Sequence, residues 1–455
     1  MAVLRLWLKL LALLLAAFAL AALAAVTLRT GPAPTVEILT EAKAIGPATP
    51  VRVRAQAAGR GLAGLRLEIE QQGRVQVVET REHQPAPPWR LWAAGTKEDE
   101  IRADVGHRAR TGLVEGEAIL RVVAERAPTW LLRPAPVVSE LRLPVRLTPP
   151  SLSLVSSQHY VMQGGAGVVV YRVGKGAVRD YVTAGDWRFP GTALPGGAAD
   201  ERVALFGVPW NLEDASTLRV VAEDDAGNAG SASFVDRYTR RPPAQDRIGL
   251  DDAFLNKVVP EIREHTPGLA SKGSLLDDYL QINRELRAAN AAELKQLSER
   301  SAPGFLWSEP FLPLRNGKVM SSFADHRTYV YGGREVDQQT HLGFDLASTA
   351  RSEVQAANKG TVVLARYFGI YGNSVLIDHG LGLMTLSAHL SAIDVKEGQP
   401  VERGAVIGRS GATGLAGGDH LHFTLLVGGQ MVNPVEWWDS HWIEDRVERK
   451  LKEAR

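Results

Sequence analysis

A mainly β chain of several domains, opened by one apolar helix and interrupted once by a helical segment, is the architecture this sequence predicts. Three observations predict it. With 455 residues the chain has room for roughly three domains. Short runs of alternating apolar and polar residues recur through its first half between Gly/Pro turns, the pattern of half-buried strands. Finally, Leu120-Arg121-Val122-Val123-Ala124-Glu125 returns letter for letter as Leu218-Arg219-Val220-Val221-Ala222-Glu223, an offset of 98 residues, about the length of one two-sheet sandwich.

Composition narrows the field. Apolar residues make up 45% and charged residues 23%, ordinary for globular protein. A net charge of +1 gives no electrostatic case for nucleic acid. With Cys 0, disulfides and thiolate metal sites are excluded.

In chain order, Leu10 to Val26 is an unbroken apolar run with Arg5 and Lys9 ahead of it and Arg29 behind. A signal peptide has an apolar core of about 7–15 residues and a spanning helix needs about 20. Residues 1–30 therefore read as a signal-anchor or transmembrane helix with its basic end cytoplasmic. The small residues Ala21-Ala22-Leu23-Ala24-Ala25 offer the alternative of cleavage. Either way the remainder is exported.

Gly31-Pro32-Ala33-Pro34 is a short linker. Beyond it Val51-Arg52-Val53-Arg54, Leu65-Arg66-Leu67-Glu68-Ile69 and Val75-Gln76-Val77-Val78 alternate as strands do. The echo divides this region into two immunoglobulin-like β-sandwich modules, 35–148 and 149–238, with Pro144, Pro149 and Pro150 at the joint. Asp224-Asp225-Ala226-Gly227-Asn228 invites a calcium reading, but Gly and Asn tolerate left-handed backbone and a turn accounts for it better. The modules read as a spacer or a docking surface.

After Arg240-Arg241-Pro242-Pro243 the pattern turns helical, and 244–303 reads as a helical linker. Ser274 and Asp277 fit a capping box with Asp in place of Glu. Leu276, Tyr279, Leu280, Leu286 and Leu294 give a partial stripe, the mark of core packing or of a lid. Pro303 and Gly304 end it.

The final domain, 304–440, carries the chemistry. His341-Leu342-Gly343-Phe344-Asp345 opens it, Ser387-Ala388-His389-Leu390 follows, and His420-Leu421-His422-Phe423 closes it. In the first motif Leu342, Phe344 and Leu346 alternate with His341, Gly343 and Asp345, so one strand would present His341 and Asp345 on a single face. In the last, Leu421, Phe423, Leu425 and Val427 alternate with His420, His422 and Thr424. Imidazole with carboxylate suits zinc with one position left open. The helical H-E-x-x-H pattern is absent.

H-x-x-x-D, a central A-H-L and a terminal H-L-H-F resemble the lysostaphin-type (LytM) zinc metallopeptidases, which cut peptides of bacterial peptidoglycan. The resemblance runs from His341 to Pro434 and includes Gly360-Thr361-Val362-Val363, Tyr371-Gly372-Asn373-Ser374-Val375, Ile377-Asp378-His379-Gly380 and Val432-Asn433-Pro434. It implies a β-sheet/barrel peptidase domain that binds one Zn²⁺ per chain through His341, Asp345 and His422. It makes His389 and His420 the catalytic imidazoles beside a metal-activated water. The implied partners are a peptidoglycan peptide substrate, the inner membrane through the N-terminal helix and protein regulators, with the catalytic domain in the periplasm. His379, in an Asp378-His379-Gly380 turn, reads as structural, and His326 as structural or as lining the cleft. Gly408, Gly411, Gly414, Gly417 and Gly418 suit either a loop beside an extended peptide or an ordinary barrel rim.

Two readings from other classes compete. Some relatives of this family have lost ligands and act as non-catalytic scaffolds or activators of other wall hydrolases; bound zinc separates the two. The other is a carrier module, since Val395 to Gly404 looks like the hammerhead of biotinyl or lipoyl domains, but no modified-lysine hairpin follows it. Past the catalytic motifs, Trp437, Trp438 and Trp442 precede the charged stretch Glu444 to Arg455 of the C-terminal tail 441–455, where they pin a terminal helix or stack on sugar.

Overall fold

The computed structural model describes residues 2–28, 30–87, 95–108 and 112–453. Arg29, expected as the basic residue behind the apolar run, lies outside the described residues, as do 88–94 and 109–111 of the first module and the last two residues of the charged tail. The chain divides into two compact units, Met1–Pro150 with Glu223–Ala229, and Ser151–Ala222 with Gly230–Arg455.

The first unit opens with the helix Ala2–Leu28, whose stretch Leu4–Ala25 is long and apolar enough to cross a membrane. At 1.5 Å per residue, 22 residues rise roughly 33 Å, against a hydrocarbon core of about 30 Å. Next comes a sandwich. Thr35–Leu39, Thr49–Gln56 and Glu98–Val105 form one antiparallel sheet. Arg74–Glu82, Leu62–Gln71, Gly116–Arg126 and Val137–Val145 form the other. Period-two patterning sends Val51, Val53 and Ala55 from one sheet, and Leu65, Leu67, Leu120 and Val122 from the other, into a common core.

The second module is built on two sheets of four strands each. One orders Thr192–Ala193, Glu201–Gly207, Ala166–Val173 and Leu152–Leu154; the other orders Trp187–Pro190, Ala177–Ala184, Arg219–Asp224 and Ala229–Ser233. Both copies of the six-residue echo lie in strands or at their entry, and both bury the Leu, the first Val and the Ala.

The segment 244–303 is more closely integrated than a linker. Gln245–Leu250 is a strand, parallel to Asp325–Tyr331 of the final domain. The helix Asp252–Glu264 follows, N-capped by Asp251, whose side chain accepts from the Phe254 N–H at 2.8 Å. A second helix, Leu275–Gln281, runs through a π turn, Ile282–Leu286, into Arg287–Ser298. Its Ser274 cap accepts from Asp277 N–H, and the Ser274 hydroxyl donates to the Asp277 carboxylate, in place of the backbone N–H that a full capping box would use. Leu255, Val258, Val259, Ile262, Tyr279, Ile282, Leu286 and Leu294 all enter the core shared with the final domain. At roughly 1.5–3 kcal/mol per buried aliphatic or aromatic side chain, this burial rivals the whole net stability of a domain, about 5–15 kcal/mol. Such a segment is a fixed wall.

The final domain is built on an eight-stranded antiparallel sheet. Lys318–Ser321, Phe344–Ala347, Leu421–Val427, Leu383–Ala388, Asn373–Asp378, Gly360–Tyr367 and Pro400–Val401 follow one another, and Gln430–Val432 folds back on Leu421–Val427. Phe344, Leu346, Leu421, Phe423 and Leu425 enter the core with Trp437, which is fully buried. The tryptophans therefore act in packing: Trp437 meets Trp307, Phe311 and Trp442 with ring centroids 5.2–5.6 Å apart.

Within the second unit the final domain and the sandwich meet at a half-buried acid. Glu436, in the short helix Val435–Trp438, accepts the Ala166 N–H at 2.8 Å, in space left by Gly165, where a Cβ would come within 2.4 Å of the carboxylate. Burial raises its carboxyl to about 8, against the Ala166 hydrogen bond and the charges of Arg446 and Arg241. A pKa raised by folding stabilises the fold fully below the unfolded value of about 4.3, and that contribution is lost as pH rises through the folded one. Glu436→Gln keeps the acceptor and cannot ionise. The melting temperature of the variant minus that of the wild type, followed by circular dichroism, should therefore grow from pH 5 to about 8, since the buried histidines titrate alike in both and cancel; parallel profiles would refute the assignment.

Candidate metal centre

Strand register assembles the site. Asp345 on Phe344–Ala347 pairs across the sheet with His422 on Leu421–Val427, and His422 pairs on its other side with Ala388, next to His389. His341 arrives differently. It ends the strand Arg334–His341, which belongs to a separate three-stranded sheet, and the chain breaks at Leu342 and Gly343 before the strand with Asp345 begins. The single strand expected through His341 and Asp345 is thus two strands, and the turn between them lets the two side chains converge.

His341 Nε2, Asp345 Oδ1 and His422 Nδ1 form a triangle with sides of 3.0, 2.9 and 3.1 Å. The outer nitrogens show which atoms carry protons. His341 Nδ1 lies 3.0 Å from the Ser322 carbonyl, a pure acceptor, so it holds the proton and donates it. Thr424 donates its hydroxyl to the Leu342 carbonyl, so its oxygen accepts from His422 Nε2 at 2.9 Å. Two imidazole lone pairs and a carboxylate oxygen are left facing one another, an arrangement that favours a cation between them. Ligands of a tetrahedral zinc at 2.0–2.1 Å stand roughly 3.3 Å apart, close to the triangle seen. The residues fit the metal.

The other carboxylate oxygen, Asp345 Oδ2, accepts from Arg327 Nη2 at 2.8 Å, and the same guanidinium nitrogen reaches Ser321 Oγ at 2.8 Å. Burial opposes ionisation of Asp345, yet the imidazoles of His341, His420 and His422 beside it hold its carboxyl well below the usual range. Burial lowers His422 to about 4 despite Asp345, which keeps it neutral, as a ligand must be. Gly343 makes room: a Cβ there would come within 2.5 Å of His422 Cε1 and 2.7 Å of Thr424 Oγ1.

Two further imidazoles stand beside the triangle. His389 and His420 have ring centroids 4.9 Å apart, and His420 Nε2 lies 3.6 Å from Asp345 Oδ1. Each donates Nδ1–H to a carbonyl at 2.8 Å, His389 to Thr413 and His420 to Gly418, so each keeps Nε2 for proton transfer. Burial, then His420 and His422, push His389 well below its ordinary value; burial also opposes the charged form of His420, but Asp345 raises it. His389 has φ 61°, a left-handed backbone that non-glycine residues adopt chiefly at constrained sites, and its N–H is held by the Tyr371 carbonyl at 2.8 Å.

All five motif residues come together. His379 does not join them: it is buried, bonded to the Lys359 carbonyl and Thr385 Oγ1, and burial lowers it to about 4. His326 lies against Trp210, ring centroids 5.9 Å apart, outside the cavity that holds the triangle. The glycine loop divides: at Gly414, with φ 72°, a Cβ would strike the Gly372 backbone at 2.4 Å, whereas Gly417 has open space and lines the cavity. Motif reading missed Arg327, although it follows His326 directly, and it missed the roof. That cavity, about 350 Å³, is walled by Phe254, Tyr279 and Arg287 of the helical segment as well as by the ligand set.

The sheet thus carries the His–Asp–His set and the two accessory imidazoles that the motifs led one to expect. Residues 339–434 match peptidase family M23 and form an M23 domain within the chain. The chain is 32% identical over 166 residues to the peptidoglycan DD-endopeptidase ShyA of Vibrio cholerae, spanning 36% of each protein. It is 44% identical over 95 residues to the DD-carboxypeptidase/endopeptidase Mpg of Neisseria meningitidis, 21% of this chain and 22% of that one. It therefore spans well under half the length of these relatives. Among solved structures it is similar to the catalytic domain of lysostaphin from Staphylococcus simulans, at 27% identity and a TM-score of 0.24 over 28% of this chain and 94% of that one.

Proposed function

We propose that this chain is a zinc metalloendopeptidase that hydrolyses peptide cross-links of bacterial peptidoglycan, with the site residues in the roles their motifs imply. The observation that carries the reading is the triangle of two imidazole lone pairs and one carboxylate oxygen, each oriented by a second hydrogen bond. The names of the relatives, peptidoglycan DD-endopeptidase and DD-carboxypeptidase/endopeptidase, support the substrate class.

His341, Asp345 and His422 hold the zinc, which supplies Lewis acidity at the scissile carbonyl and acidifies water at neutral pH. Arg327 anchors the outer oxygen of Asp345 and leaves Oδ1 for the metal. His389 and His420 move protons at Nε2: one accepts from the attacking water, and one steadies the developing oxyanion and protonates the leaving amine. The Tyr279 and Arg287 wall narrows the approach. The apolar helix anchors the protein in the inner membrane with the M23 domain in the periplasm, and the sandwiches are immunoglobulin-like modules.

The test is digestion of purified sacculi by the zinc-loaded protein, read by mass spectrometry. The expected products have newly freed amine and carboxyl termini at cross-links and intact glycan, are lost on chelation, and return with zinc. Zinc bound at one per chain with no peptide released would replace this reading with that of a non-catalytic scaffold. Placement is checked by fractionation, where a mature N-terminus near Ala25 would show a cleaved signal in place of the anchor.

A further inference from the structure

A second cavity, about 430 Å³, shares His341, His422, Tyr371 and Arg287 with the one described above. An extended peptide cut at the ligand set has residues on both sides of the scissile bond, and two chambers meeting at that set provide for both halves. The second chamber is not built from motif residues alone. Trp187 and Trp210 come from the sandwich, Lys295 from the helix Arg287–Ser298, and Gln430 and Met431 from the hairpin that follows Leu421–Val427.

Its charge is distinctive. On the same helical segment Arg263 pairs with Asp278 at 3.0 Å and Arg284 with Asp337 at 2.9 Å. The two cations that line the second chamber have no such partner. Arg287 donates to the Asn283 carbonyl and to Asn283 Oδ1, at 3.1 and 2.6 Å, and Lys295 Nζ lies 5.2 Å from the Trp187 ring centroid. Among the described residues neither is within ion-pair distance of a carboxylate. The lysine's backbone is fixed, because the helix rests on the Gly428-Gly429 turn so closely that a Cβ at Gly429 would come within 2.6 Å of Lys295 Cα. Two unpaired cations on a rigid helix, flanked by indoles, form a receptor for an anion with an apolar stem.

We propose that this chamber is a substrate subsite for a carboxylate-bearing stretch of the wall peptide. Arg287 and Lys295 receive the carboxylate, and Trp187 and Trp210 cover the aliphatic chain beside it. The second sandwich then builds part of the substrate groove. The proposal rests on the peptidase reading for the identity of its ligand, and its test does not depend on turnover.

The test is calorimetric titration of the zinc-free full-length protein with a synthetic cross-linked tetrapeptide dimer, as the free acid and as the fully amidated form. The free acid should bind about ten-fold more tightly, as charge-assisted hydrogen bonds require. Lys295 is exposed, so Lys295→Gln keeps the fold; it should cut that preference to about three-fold or less, and Lys295→Glu should abolish it. Trp210→Ala should weaken both forms alike. Equal affinity for the two forms, binding of neither, or a preference kept in both Lys295 variants would overturn the subsite. If the free-acid preference stands while zinc-loaded protein releases nothing from sacculi, the peptidase reading fails and the subsite survives.

Discussion

His420→Ala should reduce peptide release from sacculi by roughly 10²–10⁴-fold, the usual contribution of a positioned proton-transfer group, while zinc stays near one per chain. The separation follows from geometry. His420 Nε2 stands 3.6 Å from Asp345 Oδ1, outside the triangle of His341, Asp345 and His422, whose orienting bonds to Ser322, Arg327 and Thr424 do not involve it. Truncating it leaves the ligands and their supports in place. His389 should behave alike in turnover, but it is the poorer probe: at φ 61° alanine would strain the backbone, and His389→Asn, a residue that tolerates this region, is the cleaner substitution. Metal analysis beside hydrolysis decides the matter. Loss of zinc in His420→Ala would move His420 into the ligand set.

How much of this was legible in the sequence depends on whether a feature is local. His422 and Thr424 do share one strand and one face, as period-two alternation requires, because a strand's side-chain direction is set by its own backbone; His420 stands just ahead of that strand, in an isolated bridge to Gly411, and still reaches toward Asp345. The same rule misled at His341, where alternation over His341 to Leu346 conceals a break at Leu342 and Gly343. Gly343 is needed because His422 occupies the space of its missing Cβ, and His422 lies about eighty residues away in sequence. A close approach between distant segments leaves no periodic trace.

The helical segment shows the same limit. Its cap at Ser274 and its apolar stripe were legible, since both follow from local hydrogen bonding and from 3.6-residue periodicity. What the stripe packs against was not. Asn290 Oδ1 accepts the Ile370 N–H at 3.0 Å and Glu261 Oε1 the Gly414 N–H at 2.7 Å, contacts that tie the segment to the loops carrying Tyr371 and Thr413. A segment read as a linker is therefore a wall of the active-site cavity. Arg327 escaped for a related reason: an arginine is usually a solvated surface charge, and only the fold brings Asp345 to it.

His422→Ala should lose zinc and activity together, to the background of the metal-free protein. Removing one of three protein ligands leaves His341 and Asp345, too few for a stable zinc site of this class. It also removes the donor that Thr424 Oγ1 accepts from and opens the face of Asp345 that His422 covers. Gly343→Ala supplies the graded companion. All three ligands remain, but a Cβ 2.5 Å from His422 Cε1 must push the ring off its Thr424 bond, and disturbing such an outer partner costs roughly 10–100-fold in metal affinity. Excess zinc should accordingly restore Gly343→Ala and not His422→Ala. The measurement is zinc affinity by chelator competition beside sacculus hydrolysis across a zinc titration. If His422→Ala retains stoichiometric zinc, His422 is not a ligand, and the triangle of lone pairs needs another explanation.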